Sequence, residues 1–371
     1  MNGGPSVRYL ICAGGTGGGV YPALAVHSAL TARQPGAETL WVGGEGGMEA
    51  ELVMRAGIPF RSIPAAGIHG VGLRRLPSNL ATLGRGVLAS RRILKEFDPD
   101  VLFFTGGYVA FPMALAGRSI PTLLYVPDIE PGLAIKSVAR FADRIAVTAA
   151  DSKSYFAPDR RIVVTGYPVR GELSGWTRES GAKLLGLSDE NPVVLITGGS
   201  QGARSLNHAV LEHLPALLRM AQVIHISGSL DWPEVQAAAS QLPEDLSRRY
   251  HPMSYLHDMG AALASADLVV SRAGASTLGE YPLFGLPAIL IPYPYAWRYQ
   301  VVNASVLASH HAAILLEDQL VGRDLLPLIG DLLGNPAKRE AMRLAMRALR
   351  QPDAAGAIAA QLQELAGTRS R

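Results

Sequence analysis

The chain has 371 residues, 48% hydrophobic and 18% charged, and its 34 Lys and Arg against 31 Asp and Glu leave a formal charge of +3. That length suits two domains of roughly 100 to 200 residues each, and so small a net charge excludes a nucleic-acid coat while leaving room for a local basic patch. Cys12 is the single cysteine, which excludes an internal disulfide and a cysteine-based zinc cluster and fits a reducing compartment.

The opening residues MNGGPSVRYLICAGG hold one Arg before a short apolar run that stops in a glycine loop, which speaks against a secretory signal. Short β-branched runs then alternate with helix-length amphipathic segments. Strands are expected at residues 7–13, 39–42, 101–105, 122–126 and 144–148, with a second set at 193–197, 222–227, 268–271, 288–291 and 313–316. Runs this apolar, separated by helices, indicate parallel sheets covered on both faces. The expected architecture is a doubly wound α/β fold that occurs twice. The longest apolar stretch, residues 101–126, contains Gly106, Gly107, Pro112, Gly117, Arg118 and Pro121. A spanning helix needs about 20 unbroken apolar residues, so this stretch reads as strand, loop, helix, strand. The halves are expected to divide where strand-like RIVVTG runs into GYPVRGEL, giving an N-terminal domain over 1–166 and a C-terminal domain over 167–352. An Ala-rich helical segment over 353–365 follows.

Three glycine-rich turns punctuate this pattern: Gly14-Gly15-Thr16-Gly17-Gly18-Gly19 after the first strand, Gly106-Gly107-Tyr108 after the third, and Gly198-Gly199-Ser200-Gln201-Gly202 after the first strand of the second set. A strand that ends in glycines and opens a helix lets backbone N–H groups approach an anion, and the helix dipole adds favourable potential for phosphate. One such turn also serves as a tight turn with no ligand. Two at the same place in both halves point to a ligand at the carboxyl ends of the strands. No G-x-x-x-x-G-K-[ST] run exists, which excludes a P-loop nucleotidase. The run Ser271-Arg272-Ala273-Gly274-Ala275-Ser276-Thr277-Leu278-Gly279-Glu280 also follows a strand and opens a helix. Its small residues permit close approach of a nucleotide, and Glu280 is placed either to accept ribose hydroxyls or to complement the helix dipole. Asp98-Pro99-Asp100 lies at the amino end of its strand, opposite the ligand edge, and reads as a turn and not a metal site.

Together, GGTGG, GGYVAFP, GYPVR, GGSQGARSLN and SRAGASTLGE, in this order, resemble the bacterial MurG family of lipid II synthases, the UDP-GlcNAc transferases of peptidoglycan synthesis. The likeness runs over roughly residues 7 to 365. It implies a GT-B fold, two Rossmann-like domains facing across a cleft, with no metal and no cofactor, and a last helix that packs back on the N-terminal domain over about 353–371. The implied reaction is inverting transfer of GlcNAc from UDP-GlcNAc to the MurNAc C4 hydroxyl of undecaprenyl-diphosphate-MurNAc-pentapeptide (lipid I). The implied setting is the cytoplasmic face of the plasma membrane. By the same resemblance, Ala275, Ser276, Thr277, Leu278 and Gly279 bind the nucleotide and Glu280 its ribose. Ser200 takes the UDP phosphates with Arg170 nearby, Leu256 meets the uracil through its backbone, and Gln300 reads the GlcNAc hydroxyls. Thr16, Gly17 and Gly18 border the donor sugar and the acceptor phosphates, and Gly106, Gly107 and Tyr108 belong to the acceptor side.

The family pattern breaks in three places. Gly19 stands where the family has the histidine of GGTGGH, Tyr125-Val126-Pro127-Asp128 replaces H-E-Q-N, and the D-x-H-Q region keeps only Gln300. Attack by a sugar hydroxyl benefits from a general base, and the substitute expected here is Asp128, with helix capping as its competing role. Glu130 reads more readily as a cap, and His69 as a solvated loop histidine. These breaks keep open a non-catalytic UDP-sugar-binding protein and a related GT-B enzyme with another acceptor. A lipid-linked acceptor requires docking at the membrane surface. Residues 70–95 offer Arg74, Arg75, Arg85, Arg91, Arg92 and Lys95 among Leu73, Leu76, Leu80, Leu83, Val87 and Leu88. The competing role is an ordinary amphipathic helix with its leucines in the core.

Overall fold

Every expected strand forms in the structure, a computed structural model that describes residues 6–15, 17–47, 49–65, 76–188, 190–199, 202–295 and 298–369. The first sheet comprises β1 (Arg8–Cys12), β2 (Glu38–Gly44), β3 (Phe60–Ile63), β4 (Val101–Phe104), β5 (Thr122–Val126), β6 (Arg144–Val147) and β7 (Ile162–Val164). They lie in the order β3-β2-β1-β4-β5-β6-β7, and every described pairing is parallel. The second sheet comprises β8 (Val193–Thr197), β9 (Gln222–Ile226), β10 (Tyr250–Met253), β11 (Leu268–Ser271), β12 (Ala288–Leu290) and β13 (Ala313–Leu315). Its order is β10-β9-β8-β11-β12-β13, again parallel throughout the described pairs. Strand order reverses between β1 and β4 and between β8 and β11, the two switch points at which such sheets open a crevice for ligands.

Helices cover both faces of the first sheet, which explains its unbroken apolar runs. Leu10, Cys12, Leu102, Phe104, Leu124 and Val126 pack on one side. Tyr9, Ile11, Trp41, Phe103, Leu123 and Tyr125 pack on the other, against the helix Gly17–Arg33 and the C-terminal helix Ala354–Ala366. That last helix buries Ile358, Ala359, Leu362 and Leu365 in this face. Asp353 caps it by accepting the Gly356 N–H at 3.0 Å. Arg144, on β6 and 5% exposed, donates to both carboxylate oxygens of Glu364 at 2.7 and 2.8 Å. The pairing holds the Glu364 carboxyl below its ordinary range, chiefly through these hydrogen bonds.

Packing divides the chain into two units, Met1–Arg170 with Asp353–Arg371, and Gly171–Pro352. Residues 101–126 form β4, a glycine turn, the helix Ala110–Ala116 and β5. Among the described residues, no helix is long and apolar enough to cross a membrane.

Candidate active site

In the first unit, β1, β4 and β5 are neighbours, so the segments that leave their carboxyl ends lie side by side. Gly14 and Gly15 follow β1. Gly106 and Gly107 follow β4, and Gly107 has φ +86°, a conformation that favours glycine. A Cβ at Gly107 would lie 2.7 Å from the Gly14 carbonyl oxygen, so the two turns touch through bare backbone. Tyr108 stands beside them, 59% exposed. The Thr105 hydroxyl donates to the Gly19 carbonyl at 2.8 Å and ties the start of the helix Gly17–Arg33 to the end of β4. Gly17 and Gly18 occupy the first turn of that helix, and Thr16 lies outside the described residues. The Tyr21 ring packs over Gly17, and the Arg170 guanidinium lies 4.9 Å from that ring's centre. Arg170 therefore belongs to the first unit and stands by the helix that follows the first glycine turn.

Asp128 is half-buried in the segment after β5. Beneath it, the buried Tyr125 hydroxyl and the Thr148 hydroxyl are 2.7 Å apart, and Thr148 also donates to the Pro127 carbonyl at 2.8 Å. Burial, and to a smaller degree the Asp128 charge, pushes the Tyr125 phenol well above its ordinary range. The N-cap of the following helix, Leu133–Val138, is Gly132, so neither acidic residue holds that position. Glu130 pairs instead with Lys136 at 3.9 Å.

One residue of this region carries a weak sequence signal. Glu49 follows the glycines of WVGGEGG, is 1% exposed, and accepts N–H groups from Gly15 at 3.3 Å and Gly44 at 2.7 Å. An acidic residue opening the short helix a few residues after a glycine-dense strand end is the only hint of it in the sequence.

In the second unit, the glycine turn after β8 leads into the helix Arg204–Glu212. Gly202 has φ +80°, and a Cβ there would lie 2.2 Å from the Ser227 carbonyl oxygen. Asn207, fully buried, donates to that same carbonyl at 2.8 Å and to Asp231 at 2.7 Å. Ser200 and Gln201 lie outside the described residues. On the adjacent strand, β11 runs through Arg272 and a turn at Ala275 and Ser276 into the helix Thr277–Phe284. Thr277 fastens this turn by donating to the Gly274 carbonyl at 2.7 Å. Leu278 is buried, Gly279 is half-buried, and the half-buried Glu280 lies in the helix's first turn. Arg272 donates to Ser205 at 2.9 Å and to Asp318, and its guanidinium lies 5.3 Å from the centre of the Tyr293 ring.

Gln300 sits on the helix Tyr299–Ser309, where its side-chain oxygen accepts the Tyr293 N–H at 2.8 Å. Asn303 on the same helix is fully buried and donates to the Ala273 carbonyl at 3.2 Å, so this helix is tied to the turn that precedes Glu280. Leu256 is half-buried in the loop after β10. The structure thus gathers Gly14, Gly15, Gly17, Gly107, Tyr108 and Arg170 in one unit. Ala275 to Glu280, Gln300 and Leu256 belong to the other. His69 lies outside the described residues.

Residues 9–147 match the glycosyltransferase family 28 N-terminal domain and residues 193–358 the glycosyltransferase family 28 C-terminal domain. The chain is 40% identical to the UDP-N-acetylglucosamine--N-acetylmuramyl-(pentapeptide) pyrophosphoryl-undecaprenol N-acetylglucosamine transferase of Roseiflexus sp., over 97% of this chain and 95% of that protein. It is 41% identical to the transferase of the same name from Desulfitobacterium hafniense strain Y51, over 95% of this chain and 97% of the relative. The crystal structure of Acinetobacter baumannii MurG overlays on it with a TM-score of 0.75 at 28% identity, covering 97% of this chain and all of that one.

Proposed function

Because this chain belongs to the MurG family of glycosyltransferases, within glycosyltransferase family 28, we propose that it moves GlcNAc from UDP-GlcNAc to the MurNAc C4 hydroxyl of lipid I and so forms lipid II. The observation that carries this reading is the pair of bare glycine turns, one at the switch point of each sheet. The second unit takes the donor. The turn from Ala275 to Gly279 receives the nucleotide, and the Glu280 carboxylate accepts the two ribose hydroxyls. The Leu256 backbone meets the uracil, and Ser200 and the amides of its turn take the diphosphate. Gln300 has its oxygen engaged by Tyr293, so its amide N–H groups remain to read the GlcNAc hydroxyls. The first unit takes the acceptor on Gly106, Gly107 and Tyr108, with Thr16, Gly17 and Gly18 bordering the donor sugar and the acceptor phosphates and Arg170 a cation near the UDP phosphates.

The reaction is a single displacement with inversion. The acceptor O4 attacks the anomeric carbon opposite the leaving UDP, and Asp128 takes its proton. The charge that develops on UDP falls on helix N-terminal amides and Arg170, without need of a metal. A general base of this kind is worth about 10² to 10⁴ in rate. Asp128→Asn, which keeps the size and removes the basicity, is expected to lower kcat by that order and leave UDP binding intact. Turnover equal to the parent's would remove Asp128 from the role.

The protein docks on the cytoplasmic membrane face through the helix Leu76–Phe97. Leu80 and Leu88 are 50% and 64% exposed among the exposed Arg85, Arg91, Arg92 and Lys95, while Leu83 and Val87 are half-buried. Such charges draw the helix to an anionic surface, with Arg92 also donating to Glu96 at 2.8 Å. Leu73, Arg74, Arg75 and the Leu76 side chain lie outside the described residues. A second reading, the same donor with a different lipid-linked acceptor, draws on Gly19 and on Tyr125-Val126-Pro127, which replace the family's acceptor-side side chains. Turnover with such an acceptor and none with lipid I would favour it.

A further inference from the structure

Glu49 opens the short helix Glu49–Arg55 with a carboxylate that the fold almost wholly encloses. Three glycines crowd it. A Cβ at Gly14, Gly43 or Gly47 would stand 2.4, 2.7 or 2.3 Å from its Oε1. Oε1 accepts the Gly44 N–H and Oε2 the Gly15 N–H, so one side chain ties the loop after β1 to the end of β2. Among the described residues, no Lys or Arg pairs with it. Burying a carboxylate without a cation costs several kcal/mol, which an apolar residue at the same place would not. Its presence therefore points to a role other than stability.

We propose that Glu49 is a positioning residue that fills the innermost anion seat of the first glycine turn and thereby sets where a ligand's diphosphate meets that turn. The proposal rests on the reading of this turn as the acceptor's phosphate site. With the Gly15 amide engaged from within and a negative charge behind it, a diphosphate is kept off Gly14 and Gly15. It is directed to the first amides of the helix Gly17–Arg33, which have no partner inside the helix. A glutamine in this place keeps the shape but loses the charge and turns an N–H donor towards backbone N–H donors.

The test compares the parent with Glu49→Gln in three measurements: kcat and KM for a short-chain lipid I analogue, the Kd for UDP, and amide hydrogen exchange over residues 13–19. Cys12, the single cysteine and fully buried on β1, serves as the fold control through its protection from a thiol reagent. The expected result is a tenfold or greater loss in kcat/KM for the acceptor, faster exchange over 13–19, an unchanged Kd for UDP and a protected Cys12. Unchanged acceptor kcat/KM with Cys12 protected overturns the proposal, as does an equal loss of UDP affinity, which marks general damage. If the glutamine variant leaves Cys12 unprotected, Glu49→Asp, which keeps the charge but falls one methylene short, replaces it with the same two outcomes. A parent that binds UDP and transfers nothing defeats the transferase reading instead. Exchange over 13–19 then decides Glu49 alone, with faster exchange supporting it and unchanged exchange overturning it.

Discussion

His225 sits in the core of the second unit between two partners, the Tyr250 hydroxyl 2.7 Å from Nδ1 and Asn207 Oδ1 3.0 Å from Nε2. Asn207 spends its N–H groups on Ser227 and Asp231, so its oxygen can only accept and Nε2 carries the hydrogen. Nδ1 then accepts from Tyr250, and the neutral ring satisfies both groups. Burial pulls the imidazole from 6.5 down to about 4. Between those values the unfolded chain binds the proton and the folded one does not. Stability is therefore whole above pH 6.5 and falls as pH drops towards 4, by about 3 kcal/mol from this one group. Chemical denaturation at pH 7.5 and 4.5 should show that loss in the parent and a markedly smaller one in His225→Gln. Equal losses would contradict it. Because Asn207 also holds the Ser227 carbonyl against Gly202, acid that opens this chain also loosens the turn assigned to the donor diphosphate.

Elements differ in how plainly the sequence announces them, and burial explains the difference. The central strands bury both faces, so Val101–Phe104 and Thr122–Val126 read as continuous apolar runs. The edge strands β3 and β10 do not. Phe60–Ile63 exposes Arg61 and Ser62, and Tyr250–Met253 contains His251 and Pro252, which an edge strand tolerates. The glycine turns are legible because close backbone contacts, such as Gly107 on Gly14, leave no room for a side chain. Glu49 is almost illegible, because its cradle exists only once β1 and β2 pair and bring Gly14 and Gly15 beside Gly43 and Gly44. Asp128 is legible only by position, since the residues around it depart from the family pattern. The C-terminal helix carries its own prediction. Leu362 is fully buried in the face that holds Tyr9, Ile11 and Phe103, so Leu362→Ala should cost about 2 to 5 kcal/mol in denaturation. A cost below about 1 kcal/mol would mean that this helix contributes little to its unit.

For the whole molecule, a net charge of +3 conceals a local concentration, with Arg85, Arg91, Arg92 and Lys95 all exposed on one helix beside Leu80 and Leu88. Replacing both leucines by serine should weaken sedimentation with anionic phospholipid vesicles several-fold and leave the melting temperature within a few degrees, since both side chains already face solvent. Unchanged vesicle binding would contradict docking through this helix. The central claim is that the chain joins GlcNAc to lipid I with its own side chains and helix termini. Transfer of radiolabelled GlcNAc from UDP-GlcNAc to a short-chain lipid I analogue, with a chelator present, tests it most directly. A labelled, β-linked lipid II analogue is expected, its formation surviving the chelator and falling steeply in Asp128→Asn. A folded protein that binds UDP and labels no lipid I analogue would contradict it.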